Sequence, residues 1–370
     1  MAKHAATRFW NRVAQTLGSV VASGGLAVVC VTLAPFVTQA LGVDRALLAL
    51  YLVVAMTLAG YLVVIVAHEA GHFVAARLAG WRVPVASIYG LTLWTAPFRL
   101  RLGARAFGGA GVLAIPPRDR PWRLGYCAVM LGGALGNFAL AAAALAIVAA
   151  FTPAPLWLAY LERIAGYSAV IGVLNLLPYV TARGGTTDGH KALRALRGED
   201  LTPFGHETRL FEQIVRRRPP RDWDPAAIAD VACDARAGRS SWSGDMMLYA
   251  LALDRMQPAE ARAALARAAA KLGSVDLIRI EQAFLLAYVD RDAAAAGKLL
   301  DTVPRRRVRR LSIYWRTLGL IQLLSGERKD AARSFEAARA RLRRMPFTTP
   351  ADLEGIDILM KLETATPNAP

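Results

Sequence analysis

The sequence predicts an all-α polytopic membrane protein with about four transmembrane helices, joined to a soluble α-helical repeat domain. Three observations predict this fold class. The chain of 370 residues is 55% hydrophobic, with a mean hydropathy of +0.33. After Gly198 the sequence becomes rich in Ala, Arg, Glu and Asp with the spacing of amphipathic helices. Before Gly198 carboxylates are rare, as expected near hydrocarbon, and they are Asp44, Glu69, Asp119, Glu162 and Asp188.

Four apolar runs are long enough to cross a bilayer, which takes about 20 residues of helix. They are Gly18 to Gly42, Ala46 to Leu78, Leu124 to Phe151, and Ile164 to Val180. The first run is not a cleavable signal peptide, because its core is too long and no A-x-A site precedes polar sequence. We therefore interpret residues 1–45 as a cytoplasmic segment with an extra transmembrane helix, and residues 46–198 as the membrane core.

Basic residues predict the orientation of these spans. Lys3, Arg8 and Arg12 precede the first span, and the loop between the first and second spans is short and nearly uncharged. Arginines at positions 82, 99, 101, 105, 118, 120 and 123 lie between the second and third spans. The positive-inside rule then places both termini, and with them the C-terminal domain, in the cytoplasm.

The loop between the second and third spans contains two β-prone pieces, Val83 to Tyr89 and Leu91 to Leu100. They predict a small hairpin or sheet that lies against the membrane, whose edge could pair with an extended substrate. An irregular basic loop is the alternative interpretation, because the same stretch contains several glycines and Pro116-Pro117.

The last third of the second span contains His68-Glu69-Ala70-Gly71-His72. On a helix, the HExxH pattern puts two imidazoles on one face, where both can reach one zinc ion. Glu69, beside the first histidine, would act as the general base. A catalytic zinc takes a third protein ligand, and between residues 163 and 198 the only carboxylate is Asp188. Asp188 could instead cap a helix from His190 to Arg197.

Together with Asn175-Leu176-Leu177-Pro178 and Asp188-Gly189, the HExxH motif resembles the site-2 protease family of intramembrane zinc metalloproteases. Gly133-Ala134-Leu135-Gly136-Asn137 is similar to the GxxxN element of that family. The resemblance covers about Ala46 to Leu196 and implies one Zn²⁺ per chain, with Asp188 as the third ligand. It also implies that Asn137 and Asn175 bind the substrate backbone or steady an oxyanion. Hydrogen bonding between helices remains the alternative role for both asparagines.

One spacing departs from the family. Nine residues separate Pro178 from Asp188, more than is usual. Gly184-Gly185 would allow this longer loop to fold back and return Asp188 to the metal.

The C-terminal half is divided into a helical linker (199–240), a helical domain (241–346) and a partly disordered tail (347–370). Ala250 to Leu265, Ala283 to Leu299 and Leu318 to Phe335 each have the pattern of a helix end, a polar turn and a new helix. Their spacing of about 33 to 35 residues resembles tetratricopeptide repeats, although a generic helical bundle remains possible.

These observations predict a zinc metalloendopeptidase of the bacterial inner membrane that cuts a membrane protein in or near a transmembrane segment. The helical repeats would bind a cytoplasmic partner or the soluble part of a substrate. The alternative is a non-proteolytic membrane adaptor whose metal site is structural or vestigial. A metal transporter is disfavoured, because almost no further ionisable residues lie in the spans.

Two other classes are disfavoured. The net charge of +17 is compatible with nucleic-acid binding, but no recognition motif accompanies it, so no nucleic-acid partner is predicted. Cys30, Cys127 and Cys233 lie far apart in the chain. They indicate neither a disulfide framework nor a thiolate zinc site.

Overall fold

The computed structural model describes residues 31–40, 46–95, 97–102, 110–118, 121–151, 154–180, 186–273, 275–343 and 350–365. The protein is mostly helical, with a few short antiparallel strands. The helices are α1 (Val31–Ala40), α2 (Ala46–Leu78), α3 (Arg123–Phe151), α4 (Pro155–Leu176), α5 (Asp188–Leu196), α6 (Thr202–Val215), α7 (Pro225–Arg236), α8 (Trp242–Asp254), α9 (Pro258–Leu272), α10 (Asp276–Tyr288), α11 (Ala293–Asp301), α12 (Arg305–Val308), α13 (Ser312–Leu324), α14 (Arg328–Leu342) and α15 (Pro350–Ala365). The strands are β1 (Arg82–Ile88), β2 (Leu91–Thr95), β3 (Phe98–Leu102) and β4 (Ala110–Ile115).

The chain divides into two compact units. The first unit comprises residues 1–89 and 109–200, and the second comprises residues 90–108 and 201–370. The strands β2 and β3 therefore belong to the second unit, although the chain enters them from the first.

Among the described helices, α2 and α3 are long and apolar enough to cross a membrane. The candidate spans are Leu48–Leu78 and Arg123–Phe151, with mean hydropathies of 2.5 and 2.1. Most side chains in their most apolar parts are not buried inside the protein, and large apolar side chains are exposed along both helices. Such a surface suits a hydrocarbon environment, since soluble monomers rarely expose apolar patches of this extent.

The other two predicted spans differ from the structure. Of the first, Gly18 to Gly42, only the ten residues of α1 are described, and the remainder lies outside the described residues. The fourth was predicted over Ile164 to Val180, but α4 begins at Pro155 and ends at Leu176. Glu162 and Arg163 lie inside α4, so this helix is not among those apolar enough to span. Among the described residues, two helices rather than about four are therefore candidate membrane spans.

Helices α2 and α3 pack through glycines. A Cβ atom on Gly132 would lie 2.6 Å from the carbonyl oxygen of Gly71. A Cβ atom on Gly136 would collide with the carbonyl group of Ala67. The two backbones therefore touch directly, as small residues allow in membrane helices. This close approach brings the next residues of α3 against the face of α2 that carries the two histidines.

Helix α1 packs against α2 and α4. Leu33 and Val37 are buried in a cluster with residues of both helices. Arg163 of α4 donates a hydrogen bond to Thr32 Oγ1 of α1 over 3.2 Å, and its guanidinium lies 5.6 Å from the ring centroid of Phe36. Arg163 thus attaches α1 to α4.

The strands form two antiparallel pairs, β1 with β4 and β2 with β3. Antiparallel strands were predicted here, so the alternative of a wholly irregular loop is wrong. The bounds were also wrong, because the piece predicted from Leu91 to Leu100 is two strands, separated by a turn at Pro97. A proline has no N–H for a strand ladder and has a restricted φ, which favours a turn.

The second unit consists of packed helices with buried apolar cores. In the best of the predicted repeats, Gly319 of α13 lies against Phe335 of α14, and a Cβ atom at Gly319 would be 2.7 Å from the ring. The tail expected to be partly disordered contains α15, whose Ile356 and Leu359 are buried in the same cluster as Phe335. The tetratricopeptide identity of this unit stays a prediction.

The contact between α2 and α3 can be tested with Gly136→Ala. The added methyl group meets backbone atoms of α2, which cannot rotate away, so we expect a loss of about 1–3 kcal/mol of stability. Thermal unfolding in detergent, followed by circular dichroism, measures this change. Gly166→Ala on α4 is the matched control, because outside the local helix backbone no described atom lies within 4 Å of the position that a methyl group would take there. Equal midpoints for the two variants would contradict the packing argument.

Candidate metal centre

The two histidines of the HExxH motif lie side by side on α2. Their Nε2 atoms are 3.1 Å apart, and their ring planes meet at 89°. Each residue is only 8% exposed. The spacing of four residues produces this arrangement directly, because it places both side chains on the same face one turn apart.

Asp188, the first residue of α5, completes the group. Its Oδ2 atom lies 3.2 Å from Nε2 of His68 and 3.2 Å from Nε2 of His72. The three residues form a buried cluster that could hold a metal ion. The structure therefore brings together the three side chains that the sequence singled out as metal ligands.

The residues directly before Asp188 are held against the core by Thr187. The Thr187 hydroxyl donates a hydrogen bond to the carbonyl oxygen of Leu177 over 2.6 Å, and Val180 forms an antiparallel bridge with Thr186. Thr187 also caps α5, since its hydroxyl accepts from the backbone N–H of His190. The alternative role of Asp188 as helix cap is therefore wrong. Gly184 and Gly185 lie outside the described residues.

Glycine after Asp188 is required by packing. A Cβ atom on Gly189 would collide with the backbone of Leu176 at the end of α4. The N-terminus of α5 thus lies directly on the end of α4, which fixes the position of Asp188.

The spacing of the three atoms fits a metal ion. Ligands bound tetrahedrally at about 2.0–2.2 Å from an ion lie about 3.3–3.6 Å from one another. The observed separations of 3.1 Å and 3.2 Å are close to this range. Two imidazole nitrogens and one carboxylate oxygen suit zinc, and they also suit other divalent transition ions. Three protein ligands leave a fourth position for water or substrate.

Both histidines have a second partner on α3. Nδ1 of His72 lies 2.6 Å from the carbonyl oxygen of Val129, so Nδ1 is protonated. In the neutral ring, the form that binds a metal, Nε2 then carries the lone pair. Nδ1 of His68 lies 3.2 Å from the side-chain amide of Asn137. Such partners orient metal-binding imidazoles and set their tautomer.

Asn137 is fully buried, and its Oδ1 has no hydrogen-bond partner in its present orientation. Turning the amide by half a rotation places Oδ1 against Nδ1–H of His68, which leaves Nε2 free to bind a metal. The structure thus gives Asn137 a contact with a histidine, where the family resemblance implied a contact with substrate.

Gly133 lies beneath the two imidazoles. A Cβ atom there would be 2.5 Å from both Cε1 of His68 and Nε2 of His72. In the sequence this glycine is notable only as part of the GxxxN element, which does not predict a contact with the histidines. Its contact with both rings shows that the absence of a side chain makes room for the histidines.

Lys191 is a further member of the site that sequence analysis missed. Its Nζ atom lies 3.0 Å from Oδ1 of Asp188. Burial by itself raises the pKa of the Asp188 carboxyl, but hydrogen bonds from His68 and His72, then the charge of Lys191, lower it well below its usual range. Asp188 is therefore ionised, with Oδ2 directed to the histidines and Oδ1 to the lysine. Lys191 follows Asp188 by three residues on one helix, and this spacing could have predicted the ion pair from the sequence.

The remaining predicted residues are placed differently. Glu69 is half-buried and interacts electrostatically with His72, His68 and Asp188, so it lies near the cluster. The side-chain amide of Asn175 donates to the carbonyl oxygen of Ile171, one turn back on its own helix. Nothing in this contact joins Asn175 to the metal cluster.

Comparison of the chain with protein-family models, with curated proteins and with solved structures gives no match. The function is therefore inferred from the geometry of the site itself.

The contact between Asn137 and His68 can be tested with Asn137→Ala. Loss of the acceptor for Nδ1–H should weaken metal binding about 10–100-fold, measured by competition with a chromophoric chelator. Asn137→Asp keeps an acceptor and should bind metal nearly as well as the wild type. Ser168→Ala is the control, because Ser168 bonds only to the backbone oxygen of Asn137. Unchanged affinity in Asn137→Ala would refute this role.

Proposed function

We propose that this protein is an intramembrane zinc metalloprotease that hydrolyses a peptide bond in or near a transmembrane segment of a membrane protein. One observation carries the proposal. His68, His72 and Asp188 converge, buried, at separations that fit a metal ion, and the two histidines lie on a helix that is long and apolar enough to span a membrane.

The residues around the cluster suit hydrolysis. Zinc held by His68, His72 and Asp188 would act as a Lewis acid toward the scissile carbonyl and the attacking water. Glu69 follows the first histidine in the chain and interacts electrostatically with the cluster. In this role it takes the proton from water and passes it to the departing amine. A purely structural zinc site has four protein ligands and no use for such a base, so Glu69 favours catalysis.

The substrate class follows from the location of the site. A peptide bond inside a transmembrane helix is protected by backbone hydrogen bonds, so the substrate must unwind locally before its carbonyl can be attacked. We propose membrane-tethered proteins or remnant signal peptides as substrates. We also propose that the protein lies in a bacterial inner membrane with both termini in the cytoplasm, where the helices of the second unit would bind a protein partner.

The metal content is the first test. The detergent-purified wild type should bind about one zinc ion per chain, measured by mass spectrometry of the metal. His72→Ala and Asp188→Ala should each lose the zinc or bind it much more weakly, because two ligands remain. A wild type that takes up no zinc would refute the proposal. Retention of zinc in Asp188→Ala alone would mean that another residue is the third ligand.

The role of Glu69 separates a protease from a non-proteolytic membrane adaptor with a structural metal. Glu69→Gln should keep its zinc but lose cleavage by at least about 100-fold, since general-base catalysis contributes that much. Cleavage is measured on a panel of transmembrane peptides reconstituted with the protein. Glu162→Gln is the control, because Glu162 is paired with Arg163 on α4 and not with the cluster. A zinc-loaded wild type that cleaves no peptide would favour the adaptor. A fully active Glu69→Gln variant would instead refute the role of Glu69 as general base.

A further inference from the structure

The second unit carries a surface cluster of arginines, which we call the arginine cluster. It is formed by the strand β3, the segment after α6, the short helix α12 and the end of α14. Its members are Arg99, Arg101, Arg217, Arg305, Arg309, Arg341 and Arg343. Arg306, Arg307 and Arg310 extend it along the exposed side of α12.

The first part of the cluster surrounds Arg217. Partial burial lowers the pKa of the Arg217 guanidinium, and the charges of Arg101 and Arg99 lower it further. Arg101 also reaches the end of α14, where its Nη2 atom donates to the carbonyl oxygen of Arg343 over 3.4 Å. Like charges from β3 and from the segment after α6 are therefore held together, and the backbone at the end of α14 lies beside them.

The second part of the cluster surrounds Trp315 of α13. Arg341 Nε and Trp315 Nε1 both donate to the carbonyl oxygen of Arg309, over 2.9 Å and 2.8 Å. The guanidiniums of Arg341 and Arg305 lie 4.9 Å and 5.6 Å from the Trp315 ring centroid. The tryptophan thus attaches α12 to the end of α14, so both parts belong to one basic surface.

Acidic partners are missing from most of this surface. Within the described residues, no carboxylate lies within salt-bridge distance of Arg99, Arg101, Arg305, Arg309 or Arg343. The same unit pairs other cations efficiently, since Asp245 binds both Arg267 and Lys271. Like charges without counterions repel one another and oppose folding, so the cluster is better explained by an external anion than by the stability of the fold.

A row of exposed apolar side chains accompanies the arginines. Phe98, Leu100 and Leu102 of β3 are 75%, 59% and 81% exposed. They alternate with Arg99 and Arg101 along β3. This strand pairs with β2 and all five of its residues are exposed, so a membrane surface that meets the strand contacts both the apolar and the basic side chains. Such a combination of apolar and basic residues is typical of surfaces that lie in the interface of a membrane.

We propose that the arginine cluster and the apolar row of β3 bind the anionic phospholipid surface of the membrane. The guanidiniums bind lipid phosphates by charge-assisted hydrogen bonds, and Phe98, Leu100 and Leu102 enter the boundary between headgroups and acyl chains. Nucleic acid would use the arginines but offers no place for the apolar row. The proposal does not depend on the metal centre or on proteolysis.

The test uses the full-length protein in nanodiscs of phosphatidylcholine alone or mixed with phosphatidylglycerol. Amide hydrogen exchange is measured for residues 98–102 and 304–311. We expect exchange in both segments to slow by at least about threefold in the anionic nanodiscs, and the effect to decrease at high salt as surface charges are screened. Equal exchange in the two lipid compositions would overturn the proposal.

Two sets of variants separate charge from apolar insertion. The triple variant Arg305→Gln, Arg307→Gln, Arg309→Gln should lose the protection of residues 304–311. A control with the same change in charge, Arg236→Gln, Arg255→Gln, Arg291→Gln, replaces exposed arginines outside the cluster and should retain it. Phe98→Ser with Leu100→Ser should lose protection of β3 while the arginines remain; retained protection would overturn the role of the apolar row.

A duplex oligonucleotide added to phosphatidylcholine nanodiscs tests whether nucleic acid, rather than anionic lipid, binds the arginine cluster. Protection of residues 304–311 by the duplex, with none from phosphatidylglycerol, would overturn the proposal and indicate a nucleic-acid site. Protection by phosphatidylglycerol alone would support it.

Discussion

The direct contact between the backbones of α2 and α3 is the constraint on which the metal centre depends. Gly132 and Gly136 allow this approach, because a methyl group at either position would meet backbone atoms of α2. The same approach brings the Val129 carbonyl to His72 and the Asn137 amide to His68. The same small residues on α3 therefore determine both the packing of the two helices and the orientation of the two histidines. A change in the helix packing would alter the orientation of the histidines.

The surroundings of the charged side chains differ between the two units. In the first unit two charged side chains have defined partners: Asp188 has two histidines and Lys191, and Arg163 has Glu162 and Thr32. Such pairing is needed because an isolated charge is costly near hydrocarbon. In the second unit several exposed arginines lie close together, and among the described residues five of them have no carboxylate within salt-bridge distance. A surface of this kind uses its charge for an external partner, and anionic lipid is the partner that also accounts for the apolar row of β3.

Several features were predictable because they depend on local geometry or composition. The spacing of His68 and His72 alone puts both rings on one face of a helix, and the apolar run before them predicts a helix long enough to cross a membrane. The strand prediction was wrong at Pro97, because it considered the β-propensity of the surrounding residues but not the lack of a backbone N–H in proline. The fourth span was misplaced because charged residues were taken as its boundary, whereas Arg163 lies within α4 and is accommodated by Glu162, Thr32 and Phe36.

The sequence by itself determined the mostly helical fold, the two apolar helices and the two histidines on one helix face, since each follows from spacing or composition. Asp188 as the third ligand was implied by the family resemblance. The tertiary structure alone decided that the long segment before Asp188 returns to the histidines, because that return depends on Thr187 bonding to Leu177 and on Gly189 lying against Leu176. It likewise decided that Asn137 contacts His68 while Asn175 bonds to its own helix. Contacts between residues distant in the chain depend on how whole helices pack, and no local pattern specifies them.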